Sequence, residues 1–357
     1  MTLLRRKFLD GAVRALHAAG ADRSMLRFAN RFEARRDERG AMRFPFVQAR
    51  REPSLQILLY HRVTPEPDPY LPPMPLATFR SQMEHLATHF RVYRLDDAIA
   101  KLMWGGLADN AVAITFDDGY RDNFEHAWPV LSRLGLPATI FLATGAIGTG
   151  ELLWHDRVLR AFAATSRREL RAFGPEGDDW PMATPERRLH SRSRFVAYLR
   201  TLDNADRARW VAELENRLDI APDPRDRALM LTWDEARRMA AEGAHFGAHT
   251  VTHPILSRLS REEARREIVD SKAEIERELG VSIDCFAYPT GRPVDYDEAI
   301  KQMLREAGFR TAVTTRSGSN RRDRGVQPDV FDIQRSFPGR RTGVQFNARM
   351  AYHRFAY

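Results

Sequence analysis

The sequence predicts an α/β fold: a parallel sheet of seven or eight strands, covered by helices and closed or nearly closed into a barrel. Three observations carry this. Short apolar runs such as Gln56–Tyr60, Ala111–Phe116 and Ala138–Leu142 alternate with segments of helical periodicity. The runs are apolar at nearly every position, as expected of strands buried on both faces. Their ends, read in order, are polar or ionisable: His61, Asp117-Asp118, His249, Tyr288 and Arg335. In a parallel α/β barrel the chemistry sits at that end of the strands.

The elements follow in order. Residues 1–52 read as a charged, helical N-terminal arm, with Leu4, Phe8, Val13, Leu16, Met25, Leu26 and Phe28 as its apolar groups. Such a basic amphipathic helix suits an anionic membrane surface or a partner, or docks on its own domain. The barrel is expected over 53–345. Its first strand ends at His61, and six prolines between Pro65 and Pro75 mark a loop. Phe79, Met83, Leu86 and Phe90 fit a helix. Val92-Tyr93 reads as a brief strand, and Leu95–Leu102 as a helix. Strand Val112–Asp117 comes next, then helix Asn123–Leu134 with Gly135 as its C-cap. The rhythm breaks at 150–230, a segment rich in Arg and Glu that reads as a mainly helical insertion. It resumes with two capping boxes, Thr232 with Glu235 and Ser260 with Glu263. Strands Ala244–Ala248, Ile283–Tyr288, Thr311–Thr315 and Val330–Gln334 follow, with helix Tyr296–Glu306 among them. Residues 346–357 are expected to be a tail.

Composition narrows the classes. The 357 residues are 43% hydrophobic and 29% charged, which is globular rather than disordered. The single cysteine, Cys285, excludes an intrachain disulfide framework and fits a reducing compartment. The net charge of +8 attracts anions, but no zinc-finger spacing or aromatic RNA-binding motif accompanies it, so no nucleic-acid partner is expected. Arg5-Arg6 resembles a twin-arginine export start, yet Asp10, Arg14 and His17 interrupt its apolar core. The expected location is the cytoplasm, or the periphery of the inner membrane. Nothing in the sequence fixes the oligomeric state.

Two motifs carry chemistry. TFDDGY, residues 115–120, drives a buried strand into two adjacent carboxylates. A helix cap would explain one of them, not two. HTVTHP, residues 249–254, places two imidazoles four residues apart, on one face if the segment is helical. That pair suits a divalent metal, zinc above all, with cobalt, nickel or manganese as alternatives. A carboxylate from TFDDGY would be the third ligand. Three protein ligands leave a position open, as in catalytic rather than structural sites.

With these motifs in order, the sequence resembles the polysaccharide deacetylases of carbohydrate esterase family four. FAYPTG, residues 286–291, stands where a third motif of that family is expected. The resemblance covers roughly residues 54–336. It implies a distorted (β/α)7-type barrel and an acetylated glycan or oligosaccharide as substrate. By position it makes Asp118, His249 and His253 the metal ligands and Asp117 the general base. The N–H of Thr290 would hold the oxyanion. Independently of the resemblance, Tyr288, an aromatic residue at a strand end, is expected to stack on a sugar ring. The implied reaction is N-deacetylation by a water that the cation activates. The alternatives are an O-acetyl esterase, a non-sugar amide hydrolase, and an inactive glycan-binding scaffold.

The sequence departs from that family's pattern in two places. The third motif's Arg is Ala287, and its Tyr is Thr290. Arg335, at a later strand end, is expected to replace the missing Arg and pair with Asp117. The family's Leu-x-His, whose His is the general acid, is absent after Arg335. His61 is the better-placed substitute and His353 a looser one. His155-Asp156, at the start of the insertion, could reach the cleft.

Overall fold

The computed structural model describes residues 53–355 apart from 69–72, 222 and 323–325. The expected N-terminal arm lies outside the described residues. In chain order the elements begin with β1 (Ser54–Tyr60), β2 (Val63–Thr64), β3 (Met74–Pro75), α1 (Leu76–His89), β4 (Arg91–Tyr93), α2 (Leu95–Trp104) and β5 (Ala111–Phe116). Then come α3 (Trp128–Leu134), β6 (Thr139–Leu142), α4 (Trp154–Ala164), β7 (Glu169–Phe173), β8 (Asp178–Pro181), α5 (Pro185–Leu199) and α6 (Asn204–Arg217). The rest are α7 (Trp233–Ala241), β9 (His245–Ala248), α8 (Arg261–Leu279), β10 (Cys285–Ala287), α9 (Glu298–Glu306), β11 (Thr311–Val313), β12 (Asn320–Arg321) and α10 (Gly343–Phe355).

The main sheet runs β11-β10-β9-β6-β5-β1-β12, with β4 also on β5. All its pairings are parallel except β1 with β12. The expected strand at Val330–Gln334 is not regular, yet this stretch closes the ring. Ile333 bridges Val313 and Ser336 bridges Leu58, both in parallel. Ser336 N–H donates to Ile57 O at 2.8 Å, and Leu59 N–H donates to Ser336 O at 3.1 Å. The barrel therefore has seven staves: β1, β5, β6, β9, β10, β11 and residues 333–336.

Alternate strand residues serve two cores, because neighbouring side chains point to opposite faces. Ile57, Ala113, Phe141, Ala287, Val313 and Ile333 meet inside the ring, where α2 adds Leu95, Ala98, Ile99 and Leu102. Leu58, Ile114, Ile140, Phe246 and Phe286 face outward, under the helices. Both capping boxes form as read, on α7 and α8.

The insertion has its own core of Val158, Phe162, Phe173, Trp180, Phe195, Val211 and Leu214. It is not purely helical: β7 and β8 pair as an antiparallel hairpin. The expected tail is also corrected, because α10 docks on the barrel. Phe346 and Met350 are buried, and Gln56 Nε2 donates to Met350 O at 2.7 Å. Apolar residues on an amphipathic C-terminal helix gain more from burial than from solvent.

Candidate active site

The two carboxylates of TFDDGY leave β5 in different directions. Asp118 has φ +76°, which turns its side chain away from that of Asp117. Gly119 completes the turn at φ +85°, where a Cβ would lie 2.8 Å from the side chains of Ile147 and Leu142. Only glycine fits there. Asp117 and Asp118 are both about 2% exposed.

Arg335, in the closing stave, takes Asp117. Its Nη1 donates to Oδ1 at 2.6 Å and its Nη2 to Oδ2 at 2.7 Å. Nε donates to Thr314 O at 2.9 Å, and Nη1 also reaches Thr115 Oγ1 at 3.2 Å. Arg335 is fully buried, so its charge needs this compensation. The expected pairing forms.

Asp118 faces imidazoles. Its Oδ1 lies 3.4 Å from Nε2 of both His249 and His253. That Oδ1 is buried and accepts no hydrogen bond. His249 Nδ1 contacts Ala287 O at 2.7 Å, which places the proton on Nδ1 and leaves Nε2 a lone pair aimed at Asp118. The three ligand atoms lie within 4.8 Å of one another. One carboxylate oxygen and two imidazole nitrogens, with no hydrogen bond between them, form a donor set that fits zinc.

The HTVTHP segment is not helical. It is a turn after β9, with Thr250 at φ +67° and His253 at φ +56°. Such strain persists only where the surroundings enforce it. Glu267 of α8 accepts from Val251 N–H at 2.7 Å and Thr252 N–H at 2.9 Å. From the insertion, Trp154 Nε1 donates to His253 O at 2.9 Å.

Burial would raise the Asp118 carboxyl, but the nearby His249 imidazole, and then His253, His61 and His155, hold it well below the usual range. Burial pulls His253 well below the ordinary imidazole value, so it is neutral, as a ligand must be. Burial also lowers His249, but Asp117 and Asp118 outweigh it and leave that imidazole raised. A cation on Asp118 would remove this effect.

Two more imidazoles face Asp118 Oδ2, His61 at 4.0 Å and His155 at 3.7 Å. His61 stacks on Phe337, with centroids 5.9 Å apart and planes at 4°. His155, from the insertion, does reach the site. Its Nε2 is 3.2 Å from Tyr120 Oη, and Tyr120 donates to Asp156 Oδ1 at 2.9 Å. The sequence pointed to His155 and Asp156, but nothing in it linked them to Tyr120. His353 lies in the last turns of α10, whose side chains are outside those described.

These groups line a cleft of about 660 Å³, together with Thr290, Trp154, Arg200, Arg292 and Arg340. Thr290 has φ +58°, and its N–H finds no acceptor among the described residues. Tyr288 is a correction. It is 1% exposed, stacks on Tyr296 at 4.1 Å and donates to Phe331 O at 3.0 Å. Ala287 faces the barrel interior, so strand alternation sends Tyr288 outward, beneath α9.

Residues 105–312, more than half of the chain, match the family model for polysaccharide deacetylase. The chain belongs to the polysaccharide deacetylase family. A Bacillus subtilis protein named as a polysaccharide deacetylase, YxkH, is 23% identical over 219 residues, 61% of this deacetylase-family chain. The chain spans about half the length of that curated relative, 50%. Among solved structures, Streptococcus pyogenes deacetylase PplD in complex with acetate matches with a TM-score of 0.56 and 18% identity. The match covers 84% of this chain and 98% of that one. IcaB from Ammonifex degensii matches with a TM-score of 0.52 and 18% identity, over 85% of this chain and 98% of that one. Both likenesses support the distorted barrel. His61 and Arg335 both lie outside the span of the family model, yet β1 pairing with β5 brings His61, and ring closure brings Arg335, to the motifs within it.

Proposed function

We propose that this polysaccharide deacetylase family member is a divalent-metal-dependent hydrolase that removes N-acetyl groups from amino sugars of a glycan or glycan precursor. The observation that carries the reading is the orphaned Asp118 Oδ1, flanked by two imidazole Nε2 atoms at 3.4 Å. Beside it stands a second carboxylate held by Arg335. Acetate in the S. pyogenes deacetylase structure is the product this reading expects.

Asp118, His249 and His253 would hold the cation. When bound, it would acidify water and polarise an acyl carbonyl. Asp117, fixed in orientation by Arg335, takes a proton from the attacking water. The water oxygen bonds to the acetyl carbon as negative charge grows on the carbonyl oxygen. The free N–H of Thr290 donates to that oxygen. The carbon–nitrogen bond then breaks, and His61 gives a proton to the leaving nitrogen. Acetate and a free amine leave.

The test is acetate release from N-acetylglucosamine oligomers by zinc-reconstituted protein, with Asp117→Asn alongside. Release by wild type and loss of about 10³-fold in the variant support the reading. Release from O-acetylated sugars alone would replace it with an esterase. Protein that binds no divalent cation at Asp118 would overturn it.

A further inference from the structure

Most charges around the cleft are matched. Arg335 neutralises Asp117, and Arg62 Nε donates to Asp122 at 2.8 Å. Arg292 grips Asp295, with Nη2 to Oδ1 at 2.7 Å and Nε to Oδ2 at 2.9 Å. Two cleft-lining guanidiniums, Arg200 and Arg340, have no carboxylate partner among the described residues. Arg340 is hooked by Nη2 to Pro73 O at 2.9 Å.

Arg200 is the more telling of the two. It caps the C-terminus of α5 in the insertion. An arginine there can turn back onto the last carbonyls of its helix. Arg200 makes no such side-chain bond among the described residues, and its Nε is buried without an acceptor. It lies near Arg292 instead. Burial, and then the charge of Arg292, pull its pKa below the ordinary arginine value, and Asp295 only partly offsets this. Asp295 is already committed to Arg292 and to Thr290 Oγ1. A half-buried cation is thus held near a second cation. Such an arrangement is costly unless a ligand brings negative charge.

We infer that Arg200, with Arg292 and Arg340 around the same cleft, forms a subsite for an anionic group on the acetylated substrate. The group is a cluster of phosphoryl or carboxylate oxygens, which the planar guanidinium fork fits bidentately. The inference rests on the deacetylase reading and adds its substrate class. The barrel supplies the acetyl chemistry, and the insertion supplies the recognition of charge.

The experiment uses the full zinc-loaded chain and three substrates. These are neutral N-acetylglucosamine oligomers, N-acetylglucosamine 1-phosphate, and oligomers alternating N-acetylglucosamine with a uronic acid. Wild type is expected to turn over at least one anionic substrate with the higher kcat/KM. Which one it prefers separates phosphoryl from carboxylate. Arg200→Gln should lose about 10- to 100-fold on the anionic substrate and less than about twofold on the neutral one. Arg200→Lys should recover part of the loss. An equal loss on all substrates, or none, overturns the subsite and leaves the deacetylase reading standing. If no substrate releases acetate, calorimetric titration of the same two anionic compounds decides. Salt-sensitive binding by wild type that Arg200→Gln abolishes supports the subsite. Equal binding by both proteins, or by neither, overturns it. Arg340→Gln, at an exposed position, gives the same comparison without risk to the fold.

Discussion

Arg335 and Asp117 lie 218 residues apart in the chain and form a fully buried, two-pronged ion pair with bonds of 2.6 and 2.7 Å. Arg335 has no water to fall back on, and Asp117 meets the cleft with only a sliver of its surface. Arg335→Met should therefore destabilise the fold by about 3–5 kcal/mol, because it strands a buried carboxylate. The double variant with Asp117→Asn should recover much of that loss. Chemical denaturation of the three variants reads the coupling directly. Additive losses would mean that the pair is not energetically linked.

Trp154→Phe keeps the ring packing but removes the donor to the His253 carbonyl. Zinc affinity should fall several-fold, for a lost bond of about 1 kcal/mol. Competition with a chromogenic chelator measures it. Affinity identical to wild type would mean that Glu267 alone sets the turn.

Zinc should raise the unfolding midpoint, by an amount that grows with its concentration above Kd. Alanine at Asp118, His249 or His253 should remove that dependence. Differential scanning calorimetry with and without a chelator checks this, and a midpoint indifferent to zinc would speak against the site.

Asp156 is buried, its carboxyl is pushed up to about 6, and its Oδ2 has no partner. Burial is the main cause, with Asp118 adding to it, while His155 and the bond from Tyr120 pull the other way. The raised value means that the native state holds this proton more tightly than the unfolded chain does. The associated stability is complete below the unfolded pKa of about 4 and is lost as pH rises through about 6, a change of order 2–3 kcal/mol. The difference in stability between wild type and Asp156→Asn, followed from pH 4 to 7, isolates it. A flat difference would place Asp156 in its ordinary range.

Tyr288→Phe should cost about 1 kcal/mol of stability, through the lost bond to Phe331 O, and leave kcat and KM unchanged. A raised KM for oligomers would put Tyr288 back at the sugar.

What the sequence disclosed follows the range of the interactions involved. Asp117, Asp118, His249 and His253 were readable because each sits beside the end of an apolar run. Arg335 was readable for the same reason, although its stave makes only isolated bridges rather than a strand. Tyr288 misled because a strand end alone does not say which face a residue takes, and the register set by Ala287 decides it. The hairpin at β7 and β8 hid in a polar, Arg-rich stretch. It is stabilised by Phe173 and Trp180 packing on Phe195, contacts that no local pattern announces. Tyr120 carried no signal of its own within TFDDGY, because its bond to Asp156 depends on where the insertion lands.

The seventh stave has a consequence for how the molecule is made. Residues 333–336 join β1, more than 270 residues earlier in the chain, so ring closure waits until residue 336 has left the ribosome. Until then Asp117 sits at the mouth of an open sheet, without its counterion. The nascent chain thus carries an electrostatic defect at the rim of its sheet, and the last stave repairs it. Completion of the barrel and neutralisation of the buried Asp117 carboxylate become one event, so a chain stalled or clipped before Arg335 would lack the last stave and the counterion together.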